Sequence, residues 1–332
     1  MNYKLTYFRK KISGFSLVEL MIAMVISLFL TLGLFTMFRM SSTNVTTTTH
    51  FNELQENGRI ALSLMERDVS QTGFFGDITG INLIAGANTR VDAIPLNAAE
   101  DCIGAGMNNA SIPVISPSPF RVIWGYENDV SAYSFRCLNS VTKNTDVLQI
   151  KRVIGPVTNT TDQENQYYVG TTQNEAIFFK GDQPTPNKPR LRFWQYAHHI
   201  YYIRESDDIP SLRRRRLVGV NMNGDGGGDQ QLVEGIENMR ILYGIDQDFD
   251  NSADIFLPAE DVTDLMWSGA GDDRIIAIQV SLLVRSINKD KSYTNKNTYK
   301  LGDKDIAAFD DNYRRKVVMT TISLDNLMVN RN

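Results

Sequence analysis

The apolar and polar positions of this chain fall into distinct regimes. Residues 15–38 form a nearly unbroken apolar run whose one charged side chain is Glu19. As a helix, the run is about 36 Å long, enough to cross a hydrocarbon core of roughly 30 Å. Beyond it, Phe51, Leu54, Gly58, Ala61, Leu62, Met65 and Val69 recur at steps of three and four, with Glu53, Glu56, Arg59, Glu66 and Arg67 between them. That spacing predicts an amphipathic continuation of the helix. The Ser- and Thr-rich residues 41–49 predict a weak point between the halves. Gly73 and Gly76, bracketing Phe74 and Phe75, predict a stop.

After that stop the pattern is one of loops and strands. Residues 77–119 are rich in Gly, Asn, Ala and Pro, which predicts loops with short elements. Strand-like runs follow at 120–126, 132–137, 147–153 and 191–203. The clearest alternation is Ile276, Ile278, Val280, Leu282 and Val284, and Val318, Thr320, Ile322 and Leu324 alternate again. A long helix followed by many strands predicts an α+β fold, with the helix covering an antiparallel sheet. The expected division is a leader at 1–14, a transmembrane helix at 15–38, its continuation at 39–72 and a β-rich head at 73–332.

Charge adds an orientation. Residues 1–14 carry Lys4, Arg9, Lys10 and Lys11 and no acid, which keeps that end cytoplasmic and exports everything past the span to the periplasm. A secretory signal has an apolar stretch of roughly 7–15 residues followed by a small-residue cleavage site. Here the stretch is longer, nothing like A-x-A follows it, and the small residue Gly14 stands in front of it. A cut there removes the leader, keeps the membrane helix and moves the formal net charge from −4 to about −8. That mild acidity argues against non-specific nucleic-acid binding by the body of the protein. Glu19 has two readings. Ser16 and Glu19 fit the S-x-x-E capping box, a local role. The rival is a carboxylate waiting for a positive charge met only in an assembly, because an unpaired one costs about 2.5–3.5 kcal/mol at the centre of a span.

Gly14, Phe15, Ser16, Leu17, Val18, Glu19 and Leu20, followed by Met21, Ile22, Ala23 and Met24, resemble the N-terminus of type IV pilins and of the pseudopilins of type II secretion. The resemblance implies cleavage by prepilin peptidase between Gly14 and Phe15, N-methylation of Phe15, and pairing of Glu19 with the Phe15 amine of a neighbouring subunit. GRIALSLMERDVSQTGFFG at 58–76, LVEGIENMRILYGID at 232–246 and YRRKVVMTTISL at 313–324 resemble the PilW-type minor pilins and, more distantly, the J-type pseudopilin. Residues 78–187 carry no such resemblance. What it implies is a structural protein rather than an enzyme: a minor pilin held in the inner membrane with its head in the periplasm, then placed at the pilus tip, where it primes assembly. The implied partners are prepilin peptidase, other minor pilins, the major pilin, a tip adhesin and the inner-membrane assembly platform. DNA is a partner only for a pilus that takes it up. The alternatives are a pseudopilin capping a short secretion filament, and a membrane-anchored periplasmic binding protein or enzyme.

Few residues suggest further chemistry. Cys102 and Cys137 both lie in the exported part, where an oxidising compartment favours a disulfide over two buried thiols. Such a link is worth roughly 3–4 kcal/mol in the chain-entropy view. Asp246, Asp248, Asp250, Ser252 and Asp254 alternate in DQDFDNSAD, the spacing of oxygen ligands in a calcium loop. Asn251 replaces the sharp-turn glycine and Leu257 the bidentate glutamate, so a solvated acidic turn is the competing reading. Asn221, Asn223, Asp225, Gly226 and Asp229 form a second, less charged candidate. No other cofactor is expected. Arg213 to Arg216 is a basic run whose side chains would alternate sides on a strand. It fits either an anionic partner or a solvated or salt-bridged edge strand. His198 and His199 likewise diverge and read as structural. There is no G-x-S-x-G elbow, P-loop, G-x-G-x-x-G or H-E-x-x-H.

Overall fold

The computed structural model describes residues 14–92, 101–219, 222 and 228–329. The leader before Gly14, and Asn221, Asn223, Asp225 and Gly226 of the Gly-rich loop, lie outside the described residues. The chain divides into two compact units, Met1–Asn52 and Glu53–Asn332.

The described part of the first unit is helical. Helix α1 (Leu17–Val69) begins here and is continuous, so the expected weak point at 41–49 does not interrupt it. The reason lies in its hydroxyls. Thr46 Oγ1 donates to the Ser42 carbonyl at 3.0 Å and Thr49 Oγ1 to the Val45 carbonyl at 2.9 Å, so they bond the preceding turn instead of competing with the helix. Ser27, Thr31 and Thr36 do the same with Met24, Ser27 and Gly33. Those hydroxyls therefore need no water, as a lipid environment requires.

The second unit holds the end of α1 and all the strands among the described residues. The larger sheet contains β1 (Ile84–Ala85), β2 (Thr89–Val91), β3 (Ser118–Pro119), β4 (Ile123–Glu127), β5 (Asp146–Thr158), β6 (Tyr167–Thr171), β7 (Ala176–Lys180), β8 (Arg192–Ser206), β9 (Ile209–Arg216) and β10 (Asp229–Glu234). Strand β8 organises it. One edge pairs with β5, and successive stretches of the other edge pair with β6 and β9. The smaller sheet runs in the order β12 (Ile255–Pro258), β11 (Ile236–Asp246), β13 (Arg274–Arg285) and β16 (Arg315–Ser323), all antiparallel. A hairpin of β14 (Tyr299–Leu301) and β15 (Lys304–Ile306) stands apart, and two short helices are α2 (Asp264–Ser268) and α3 (Asp325–Val329). The α+β expectation holds: a long apolar-to-amphipathic helix followed by a β-rich body.

The periodic face of α1 enters the main core. Leu54, Ala61, Met65 and Val69 are fully buried among Ile200, Met239, Ile241, Val280, Leu282 and Val284. Leu54, Met65 and Val69 each contribute about 1.5–3 kcal/mol by burial, and Ala61 less. Gly58 sits where the helix comes closest to the smaller sheet: a Cβ there would stand 2.9 Å from Val318 Cγ2 and 3.2 Å from Val284 Cγ2. The helix stops as expected, with Gly73 at φ 75°, a conformation that other side chains rarely adopt. A second core gathers Phe75, Phe120, Phe178 and Tyr196, their rings edge-on or tilted 5.2–6.5 Å apart.

One expected strand is absent. Residues 132–137 form no strand, although their alternation resembles one. Phe135 is buried against Trp124 and Tyr126 at 5.0 and 5.5 Å, and its N–H donates to Tyr126 Oη at 3.2 Å. Cys137 is disulfide-bonded to Cys102, with the Cα atoms 5.2 Å apart. A loop anchored at these two points satisfies the same apolar pattern without pairing. The other expected runs are strands, mostly longer than their alternation suggests, because β5, β8 and β13 are buried along most of their length.

Candidate assembly site

Gly14, Phe15 and Ser16 lead directly into α1, and the Ser16 carbonyl accepts the first helical bond from Leu20 N–H at 3.1 Å. Glu19 Oε2 accepts from Ser16 N–H at 3.2 Å, one half of the capping box. Gly14 and Phe15 thus stand just ahead of the helix and Glu19 in its first turn. Phe15, Leu17, Val18, Met21, Ile22, Met24 and Val25 are all exposed, as are the larger apolar side chains onward to Met40. A helix apolar on every face belongs in lipid or among other helices. This one is long and apolar enough to cross a membrane.

The other end of α1 is held by charge. Asp68 is buried and takes Arg152 Nε at 2.8 Å, His199 Nδ1 at 2.6 Å and Tyr201 Oη at 2.5 Å, with Arg214 at 3.7 Å. Burial alone would raise its pKa, but His199, Arg152 and Tyr201 together hold the carboxyl far below the usual range. Burial pushes His199 down, with Asp68 opposing, and pushes His198 well down, with Lys151 and His199 adding to the effect. Asp68 thus ties the helix to β5, β8 and β9, a role the sequence reading did not assign. The available signal was an aspartate one residue from Val69 on the apolar face.

A second buried knot was also missed. Arg240 in β11 meets Glu127 at 3.0 Å, Asp146 at 3.2 Å, Glu260 at 3.2 Å and Asp303 at 2.7 Å. It links the two sheets with the β14–β15 hairpin. Asp146 also accepts from Ile241 N–H at 2.7 Å, and burial pushes its carboxyl up to about 7 against Arg240 and that bond.

The structure narrows the calcium candidates. Asp246, Asp248 and Asp254 bring one carboxylate oxygen each within 4.8 Å of one another, while Asp250 falls outside that group of carboxylates. Asp246 is already engaged. It accepts from Phe249 N–H at 2.7 Å and Asn251 N–H at 3.2 Å and pairs with Arg274 at 2.7 Å. Arg274 also stands 4.5 Å from the centre of the Phe249 ring, so a fixed cation already neighbours the loop. In the second candidate, Asp229 belongs to the arginines: Arg213 lies at 3.2 Å, Arg204 at 3.8 Å and Arg215 at 3.9 Å, and Tyr202 Oη donates at 2.7 Å.

The arginine run is therefore not a solvated edge. Strand β9 lies between β8 and β10, and its neighbouring side chains diverge as a strand requires. Arg213 and Arg215 reach Asp229, while Arg214 reaches Asp68 and, at 2.8 Å, Gln230. These three guanidinium groups serve the interior. His198 and His199 also split, toward Ser111 and Gln149 on one side and Asp68 on the other.

Fold and N-terminus define a class: a membrane-anchored, prepilin-like chain with a β-rich head. The family model of the prokaryotic N-terminal methylation motif matches residues 9–35, and that of type IV pilus-assembly protein W matches residues 200–326. The chain thus joins a prepilin-type N-terminus to a PilW-type region. No curated protein and no solved structure matches it.

Proposed function

We propose that the chain is a minor pilin that primes type IV pilus assembly and sits at the pilus tip with other minor pilins. The observation that carries this reading is the pairing of Gly14, Phe15 and Glu19 at the head of an exposed apolar helix with a PilW-type region in the same chain. Prepilin peptidase would cut between Gly14 and Phe15, removing residues 1–14. Residues 15–38 would hold the chain in the inner membrane, residues 39–72 continue the helix, and residues 73–332 form a periplasmic head. On incorporation the exposed apolar helix would exchange lipid for the helices of the major pilin and other minor pilins. Glu19 would release Ser16 N–H for the Phe15 amine of its neighbour. The assembly platform would supply the extrusion, and a tip adhesin would rest on the minor-pilin heads. Gold-labelled antibody to the head should mark one end of sheared surface filaments, and deletion of the chain should remove most filaments. Label along the filament length, or normal surface filaments after deletion, would count against a tip and priming role. The second of these would favour a secretion pseudopilin.

We also propose that Asp246, Asp248 and Asp254 take a calcium ion, which would displace Arg274 from Asp246. Titration of the detergent-solubilised full chain should then show one site of about 10⁻⁴–10⁻³ M, the affinity range of extracellular modules. Asp248→Ala should abolish it. A wild-type chain that shows no binding would leave an acidic turn closed by its own backbone.

A further inference from the structure

We propose that Lys151 and Asn109 become joined by an isopeptide bond that the chain forms within its own head. Lys151 lies in β5 and is fully buried. Its Nζ stands 3.5 Å from Asn109 Oδ1 and 4.4 Å from the centre of the Phe120 ring. No carboxylate makes an ion pair with it among the described residues. Burying an ammonium without a counter-ion is costly, so such an amine sheds its proton. Burial indeed drives Lys151 well below the ordinary lysine range, with Arg121 adding to the effect and Asp101 opposing it. The neutral amine carries the lone pair that a nucleophile needs.

Asn109 is an ordered electrophile. It is buried, and its Nδ2 donates to the Ala105 carbonyl at 3.0 Å, which fixes the plane of the carboxamide. The C=O bond is about 1.23 Å, so the amide carbon lies within about 4.7 Å of Nζ. A movement of about 1 Å then reaches the reacting separation of roughly 3–3.5 Å. The buried Asp101 lies close enough for its charge to act on Lys151. It accepts from Ser111 N–H at 3.0 Å and from the Ser111 hydroxyl, whose oxygen is 2.7 Å from His198 Nδ1.

The step balances without an oxidant or a cofactor. The Nζ lone pair adds to Asn109 Cγ and an Nζ–Cγ bond forms. The Cγ–Nδ2 bond breaks, and Nδ2 leaves as ammonia with a proton from Nζ, while the Asp101 charge favours the positive charge that builds on Nζ during attack. The product is a secondary amide that pins the loop following Cys102 to β5, beside the disulfide already there.

Mass spectrometry of the reduced full-length chain, extracted from membranes, tests this. The expected mass is about 17 Da below that of the processed and N-methylated sequence, the loss of one ammonia. Trypsin should fail to cut after Lys151 and should release a branched peptide containing both residues. Lys151→Met and Asn109→Ala should each restore the missing mass, and Asp101→Asn should leave the chain largely unlinked. An unshifted wild-type mass with Lys151 and Asn109 in separate peptides overturns the proposal. So does a 17 Da loss confined to the Asn109 peptide and reversed by mild alkali, which marks a succinimide. The wild-type measurement decides the matter even if a variant fails to fold.

Discussion

Glu19→Ala is expected to leave the chain in the inner membrane but to cut its incorporation into filaments at least tenfold. The apolar run that anchors the helix loses nothing by the change, because residues 15–38 contain no other charge. Incorporation differs because processing at Gly14 would expose the Phe15 amine, a charge that must be buried among packed helices. Removing one partner of a buried ion pair costs about 3–5 kcal/mol, mostly through the charge left behind. Each 1.4 kcal/mol is about tenfold in an association constant. Glu19→Asp, which keeps the charge on a shorter arm, should retain part of the activity. If Glu19→Ala chains enter filaments at wild-type levels, the carboxylate serves only the Ser16 cap seen at 3.2 Å.

Asp68→Ala is expected to destabilise the head by roughly 3–5 kcal/mol, since it strands a buried guanidinium and a buried histidine at the seam between α1 and the larger sheet. For a body of this size that corresponds to a fall of roughly 5–9 °C in Tm. The same node sets a pH dependence. The folded-state pKa of Asp68 is depressed, so its contribution is full above the unfolded value near 4 and fades as pH falls below it. His198 and His199 are depressed as well, and the unfolded chain takes up their protons first. Asp146, pushed up to about 7, opposes this by one proton against the two of the histidines, so stability should still begin to fall as pH drops below about 6.5 and fall again below about 4. In Asp68→Ala the lower step should shrink, with Asp229, Asp246, Asp290, Asp303 and Asp311 carrying what remains, while the upper one persists. An unchanged Tm in that variant, or a wild-type chain equally stable at pH 7 and pH 5, would contradict this reading.

What could be read from the sequence follows the range of the interactions involved. The membrane helix, the face carrying Leu54, Ala61, Met65 and Val69, and the alternation of β13 and β16 are local patterns, visible in neighbouring residues. The continuity of α1 through residues 41–49 was hidden because a threonine hydroxyl can break a helix or bond back to it, and composition does not tell which. Residues 132–137 show the reverse failure: burial of Phe135 and the tether at Cys137 produce an alternating pattern without a strand. Arg240 with Glu127, Asp146, Glu260 and Asp303, and Asp68 with Arg152 and His199, join residues far apart in the chain. No local spacing encodes them. The arginine run was legible in part: its salt bridges were expected, but not its place inside the sheet, because its acidic partners Asp229 and Asp68 come from β10 and α1. At the N-terminus the candidate residues Gly14, Phe15 and Glu19 form a local motif of six residues, which sequence alone displays.

The account turns on processing at Gly14, and the N-terminal peptide of the chain recovered from membranes or filaments tests it most directly. Mass spectrometry should find a chain beginning at Phe15 with an N-methylated amine. A chain that still begins at Met1, or one cut after residue 38, would contradict it.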